Sequence, residues 1–117
     1  MKQSDLVSIV IPTFNHAPLL NRALESVRQQ TYQNWEAIVV NNFSTDNTIE
    51  VVESFKDPRI KLINFSNNGI IAASRNQGIN ASSGKYIAFL DSDDNWYPTK
   101  LEKCVAAAQT GAQLICH

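Results

Sequence analysis

Apolar residues fall along this chain in two alternating rhythms. Leu6-Val7-Ser8-Ile9-Val10-Ile11 and Glu36-Ala37-Ile38-Val39-Val40 are short and nearly unbroken, the pattern of strands covered on both faces, and they stop at Pro12 and at Asn41-Asn42. Between them Leu19, Leu20, Ala23, Leu24 and Val27 recur at helical spacing behind Pro18, which predicts an amphipathic helix ending near Gln30. The rhythm then repeats. A helix from about Asn47 to Phe55, capped by Asp46 or Asn47, leads to a strand at Ile60–Ile63. A helix from about Ile70 to Ala81 behind Gly69 leads through the turn Ser82-Ser83-Gly84 to a strand at Tyr86–Leu90. A fourth helix, about Thr99 to Gln109, stops at Gly111, and Ala112–Cys116 opens another strand. Strict alternation predicts an α/β fold, a mostly parallel sheet with right-handed crossovers and helices on both faces. The loops that follow the strands then share one sheet edge, which gathers Pro12-Thr13-Phe14-Asn15, Asn41-Asn42-Phe43-Ser44, Asn64 to Asn68 and Asp91 to Asp94.

Asp91-Ser92-Asp93-Asp94 follows the fourth strand directly and crowds three carboxylates at its end. Like charges that close repel one another, and a cation that neutralises them is one reason for such a cluster to persist. Oxygen-only ligands point to Mg²⁺ or Mn²⁺, and the carboxyl ends of strands are where open α/β sheets hold ligands. The residues alone equally fit an Asp-rich turn that caps the next helix, with Pro98 suited to a first helical position.

Composition narrows the classes of partner. A chain of 117 residues with ordinary apolar and charged fractions predicts one core, and a formal net charge of −1 gives no broad attraction for nucleic acid or anionic lipid. The N-terminal run is too short for a signal h-region or a membrane span, which makes a cytoplasmic location the expectation. Cys104 and Cys116 lack ligand spacing and read as small buried hydrophobes, while His16 and His117 read as solvated loop and terminal residues, His16 lying near the expected site. Neither GxGxxG nor GxxxxGK[ST] occurs, which disfavours a dinucleotide-binding dehydrogenase and a P-loop enzyme. A diphosphate then needs another counter-charge, which a metal on Asp93 would supply, and Arg75 offers a forked donor or is a plain helix-surface arginine. Asn41 and Asn42 each carry the acceptor and donor needed to read a nucleobase edge, and equally suit a strand-end turn. Trp35, Trp96 and Tyr97 read as packing residues.

Val7 to Asn15, Val40 to Thr48, Ala73-Ser74-Arg75-Asn76-Gln77-Gly78, and Leu90 to Leu101, taken in order, resemble the motif set of family 2 glycosyltransferases over nearly the whole chain. The resemblance implies a GT-A fold in which the N-terminal half binds a nucleotide-diphospho-sugar donor and a D-x-D motif holds Mn²⁺ or Mg²⁺. Asp91-Ser92-Asp93 matches that motif, which makes Asp93 the direct metal ligand and places Asp91 toward the ribose or metal waters. By the same resemblance Pro12, Thr13, Phe14 and Asn15 line the nucleotide. The family's usual Asp-Asp-Gly-Ser segment is here Asn41-Asn42-Phe43-Ser44, so Asn42 stands where a carboxylate normally contacts the base. A carboxylate accepts from uracil N3–H, whereas Asn42 can accept from uracil or donate to cytosine, so its amide orientation decides. UDP is preferred on frequency within the family.

Members with this pattern invert the anomeric centre, and their base lies beyond the D-x-D half. No residue here matches it, and Asp94 is at most a supporting group. Residue 117 follows a strand with no covering helix, so the chain reads as the donor-binding part of one domain, residues 1–117, with the acceptor-side part missing and the fragment itself inactive. Its acceptor is an unidentified glycan, lipid-linked or protein hydroxyl. The reading leaves room for self-association and for peripheral attachment of the full-length protein to the inner face of the membrane. Two other classes compete: a sugar nucleotidyltransferase, which needs a Gly-rich basic loop absent from Pro12 to Ala17, and a nucleotide-binding module without catalysis.

Overall fold

A computed structural model of the chain describes residues 5–108. Its elements are β1 (Val7–Thr13), α1 (Ala17–Arg28), β2 (Trp35–Asn41), α2 (Thr48–Ser54), β3 (Ile60–Asn64), α3 (Ile71–Asn80), β4 (Tyr86–Phe89) and α4 (Lys100–Ala108). The expected alternation is present throughout. The strand expected at Ala112–Cys116 and the histidine at the chain end lie outside the described residues.

All strand pairings are parallel, in the order β3-β2-β1-β4. The first three strands step one way, and the chain then returns to the far side of β1. A right-handed crossover places its helix on one face when stepping one way and on the other when stepping back. Accordingly Leu20, Leu24 and Val27 of α1 and Val52 of α2 pack with Ile9, Ile11 and Val39, joined by Leu101 and Val105 of α4. The opposite face carries Val10, Ile38 and Val40, and α3 lies across β1 and β2 there. Gly78 is what lets α3 come down: a Cβ on it would stand 2.3 Å from Val10 Cγ1.

Pro12 does not end β1, as its lack of an N–H suggests it should; the strand runs on to Thr13, with Pro12 opposite Val40. The Val10 carbonyl faces β4 and accepts from Leu90 N–H, so Pro12, two residues on, turns its missing donor to the same side. β4 has ended there, and no ladder bond is lost. Trp96 is buried as expected, whereas Tyr97 is 55% exposed, with Lys103 over its ring. The chain around them is tied to α1: Trp96 N–H donates to Ser26 Oγ, and Gln30 bonds both the Tyr97 carbonyl and Leu101 N–H. Those bonds leave only one of two adjacent aromatics facing inward. Cys104 is half-buried against the core and not sealed in it, and Cys116 is outside the described residues.

Glu36 is buried in β2 on the α3 face, yet charged. Its carboxylate accepts from Ser8 Oγ at 2.6 Å, Ser83 N–H at 2.7 Å and Lys61 Nζ at 2.9 Å, and Ser8 Oγ in turn accepts from Gly84 N–H at 2.8 Å. Burial opposes ionisation, but the Ser8, Ser83 and Lys61 contacts together outweigh it and hold the carboxyl below its ordinary value.

A lowered folded pKa adds stability that is complete above the unfolded value and vanishes as pH falls through the folded one. The stability advantage of the wild type over Glu36→Gln, read by urea denaturation, is therefore expected to shrink between about pH 5 and pH 3. An advantage constant across that window would show that the carboxylate is not ionised in the fold. Gly78→Ala is expected to cost about 1–3 kcal/mol by the same assay, since an added methyl forces α3 off β1. An unchanged midpoint would mean the helix seat is slack.

Candidate functional site

The return of the chain past β1 opens a crevice where the loops after β1 and β4 diverge, the place ligands occupy in open α/β sheets. A cleft of ≈ 540 Å³ lies there, lined by the loop residues Pro12, Thr13, Phe14 and His16, by Asn42, by Asn67 and Gly69, and by Asp91, Ser92 and Asp93. Ile71 and Arg75 of α3 close the remaining side. The size suits a drug-sized or nucleotide-sized ligand.

The residues expected from sequence meet in this cleft, with one exception. Asn15, in a left-handed conformation at φ 53°, is not part of the lining. Its Oδ1 accepts from Thr45 N–H at 2.7 Å and its own N–H donates to Ser44 Oγ at 2.9 Å, so it fastens the β1 loop to the β2 loop. Asn41 is likewise committed inside the protein: its Oδ1 accepts from Ser44 Oγ at 2.6 Å and its Nδ2 donates to Asn64 Oδ1 at 3.1 Å. The stitching extends to the helix starts, where the Asp46 carboxylate accepts from Ala17 N–H at the head of α1 and from Thr48 N–H and Oγ1 at the head of α2. The Thr48 hydroxyl is the main cause of the Asp46 carboxyl lying below its ordinary value, with those helix N–H groups adding to it.

Of the asparagines expected from sequence at the strand ends, Asn42 is the one that lines the cleft. Its Oδ1 accepts from Asn67 N–H at 3.1 Å. Asn67 is itself buried and pinned, with Nδ2 donating to Ser74 Oγ at 2.8 Å and Oδ1 accepting from Gly69 N–H at 2.8 Å. Thr13 is only 5% exposed, and its Oγ1 has no hydrogen-bond partner among the described residues. A buried hydroxyl left so costs about 1–3 kcal/mol. Phe14 next to it is 49% exposed and offers a ring face at the mouth.

At the β4 end the three aspartates are all exposed and form a turn closed by Asp94 N–H to the Asp91 carbonyl at 3.0 Å. The turn reading and the ligand-loop reading thus describe the same four residues. Ser92 alone points inward, 4% exposed, its Oγ 2.9 Å from His16 Nδ1. His16 is therefore no solvated loop residue: it is half-buried and braces the middle of the D-x-D segment. Arg75 Nη2 stands 3.2 Å from Asp91 Oδ1, with its guanidinium over the Phe89 ring at 5.9 Å and its Nε buried without a partner among the described residues. An exposed pair of this kind contributes little to stability, so the arginine remains available to a ligand.

Gly69 and Ile71 line the cleft without having been picked out from sequence, Asn67 was placed at this edge only as part of Asn64 to Asn68, and His16 was expected near the site but solvated. Asn67-Asn68-Gly69 carried a signal, since Asn68 and Gly69 both adopt positive φ, at 53° and 81°. Nothing local marks His16, whose partner is 76 residues away.

The family profile described as "Glycosyl transferase family 2" matches residues 8–117. Two *Escherichia coli* enzymes described as UDP-Glc:alpha-D-GlcNAc-diphosphoundecaprenol beta-1,3-glucosyltransferases are similar to the chain. WfgD is 44% identical over 83% of it, and WfaP is 38% identical over 91%. The chain spans 38% and 42% of their respective lengths. Among solved structures, *S. aureus* TarS 1-349 in complex with UDP superposes with TM-score 0.83 at 27% identity, covering 89% of this chain and 32% of that one. The mannosyltransferase PcManGT from *Pyrobaculum calidifontis*, in complex with GDP-Man and Mn²⁺, gives TM-score 0.70 at 27% identity, covering 77% of this chain and 28% of that one. The parallel α/β arrangement expected as GT-A is shared with these neighbours.

Because one carboxylate serves two helix starts, Asp46→Ala is expected to cost about 1–3 kcal/mol, more than a single cap, when unfolding is followed by circular dichroism. A loss under about 0.5 kcal/mol would show that water replaces it at both ends.

Proposed function

Because the chain belongs to glycosyl transferase family 2, we propose that it forms the donor-binding part of an enzyme that moves a sugar from a nucleotide-diphospho-sugar to an acceptor hydroxyl. A UDP-sugar is the preferred donor, supported by the UDP named for TarS and the UDP-Glc named for WfgD. The observation that carries the reading is the cleft at the sheet's switch point, neutral and amide-lined at the β2 end and charged at the β4 end. Nucleoside and diphosphate need those two chemistries side by side.

The donor set fits a divalent cation. Among the described residues no group of three or more His, Cys, Asp or Glu converges on one point, and the carboxylates that line the cleft are Asp93 and, from its pair with Arg75, Asp91. Mg²⁺ and Mn²⁺ sites are commonly completed by substrate phosphates and water, and one or two carboxylates suffice. PcManGT, in complex with GDP-Man and Mn²⁺, supports the same choice. When bound, such an ion supplies positive charge against the departing diphosphate. Arg75 adds forked donors to the same oxygens, Ser92 and His16 hold the loop that carries the carboxylates, and Phe14 covers the nucleoside. Inversion by direct displacement requires a base on the acceptor side, and we assign none within this chain, Asp94 serving at most as a supporting carboxylate.

The acceptor is a glycan, lipid-linked or protein hydroxyl, with the lipid-linked class supported by the diphosphoundecaprenol in the names of WfgD and WfaP. A cytoplasmic location, with peripheral attachment at the inner membrane face, and self-association remain parts of the proposal. No helix among the described residues is long and apolar enough to cross a membrane. A sugar nucleotidyltransferase and a module without catalysis gain no support, since the relatives are described as glycosyltransferases.

In the intact protein, Asp93→Ala is expected to abolish metal-dependent transfer from a UDP-sugar while leaving circular dichroism and melting unchanged, because the residue sits in an exposed loop. Near-normal transfer by that folded variant would falsify the metal assignment.

A further inference from the structure

We infer that Asn42 reads the nucleobase as a fixed hydrogen-bond donor, in the cleft that Thr13 also lines, so that the cleft accepts cytosine nearly as well as uracil. The inference rests on the nucleotide reading above and concerns which base that nucleotide carries.

A backbone N–H needs an acceptor, so the Asn67 N–H at 3.1 Å identifies the Asn42 atom it meets as the amide oxygen. The amide cannot easily turn over, because Asn67 is held from both sides by Ser74 and Gly69. That bond takes one lone pair of the oxygen and turns it toward Asn67, and Asn42 Nδ2, which has no partner among the described residues, is the group offered to a ligand. Thr13 adds a second observation: the residue lines the cleft, and its buried Oγ1 lacks a partner among the described residues. The backbones of the two residues are adjacent, since Asn42 N–H donates to the Thr13 carbonyl at 3.0 Å.

Spacing assigns this pair to the base and not to the phosphates. β2 and β4 flank β1, and neighbouring strands lie about 4.8 Å apart, so Asn42 sits roughly 10 Å from the Asp91–Asp93 loop. That is about the reach from a pyrimidine across its ribose to the diphosphate, with Thr13 on the strand between.

The consequence follows from the bases. Uracil carries an N3–H between two carbonyls, whereas cytosine has a bare N3 beside an amino group. A carboxylate at position 42, one oxygen on Asn67 N–H, would turn its second oxygen to the base, accept from uracil N3–H and repel cytosine N3. Asn42 puts an N–H in that place. It donates to cytosine N3 or to a uracil carbonyl, and uracil's advantage is gone.

The test is calorimetric titration of the intact protein with UDP and CDP, in Mn²⁺, for wild type, Asn42→Asp and Thr13→Val, each checked for fold by circular dichroism. Wild type is expected to bind the two nucleotides within about tenfold of each other, one hydrogen bond being worth about that factor. Asn42→Asp should keep UDP and lose CDP by at least about tenfold, and Thr13→Val should weaken both by several-fold. A wild-type preference for UDP of about a hundredfold, or a ratio that Asn42→Asp leaves unchanged, overturns the donor assignment while the nucleotide reading stands. If the folded wild type binds neither, the nucleotide reading itself falls and this inference with it.

Discussion

Right-handed crossovers force a parallel sheet that reverses its direction of winding to move its helices from one face to the other, and at the reversal two neighbouring loops diverge. In this chain the reversal lies between β1 and β4. It decides which helices share the large apolar core, and it sends α3 alone to the opposite face. It also leaves Pro12 and Thr13 projecting past the last residue of β4, so that a cleft opens beside a strand that is otherwise fully buried. The position of the site is therefore a property of chain handedness before any side chain is chosen.

The loops around that cleft are rigid for a different reason. Asparagines and serines at the carboxyl ends of β1, β2 and β3 bond to one another in a chain running from Asn15 through Ser44 and Asn41 to Asn64. Each such bond contributes only about 0.5–1.5 kcal/mol, yet together they join loops that the sheet alone would leave independent. Charge is kept to the other end, where Arg75 and the aspartates stay exposed and lightly paired. A preformed neutral pocket beside an exposed charged rim suits a ligand that brings its own negative charge and its own cation.

Much of this was legible in the residues, and the limits were physical. Strands and helices follow directly from apolar periodicity, which is a local property. The D-x-D loop, Arg75, Asn42 and the Pro12 to Phe14 segment could be placed because strict alternation puts all post-strand loops on one edge. Asn15 stands outside the cleft lining, and an asparagine that lines a ligand and one that ties two loops look identical until the partner, Thr45, is seen. Pro12 was read as a strand stop because a single sequence does not say that the adjacent strand ends first. His16 and Ser92 form a pair only through the fold.

Gly78 has a meaning beyond its own packing. It lies one turn along α3 from Arg75, and its bare backbone rests on Val10 of the central strand. The height of the guanidinium above the cleft is thus set by a missing side chain, as the thickness of a shim sets a bearing. Any residue larger than glycine there would act as a spacer, lifting the cation from Asp91 without touching the ligand. The resulting protein would hold its nucleoside end unaltered while its grip on the phosphates slackened.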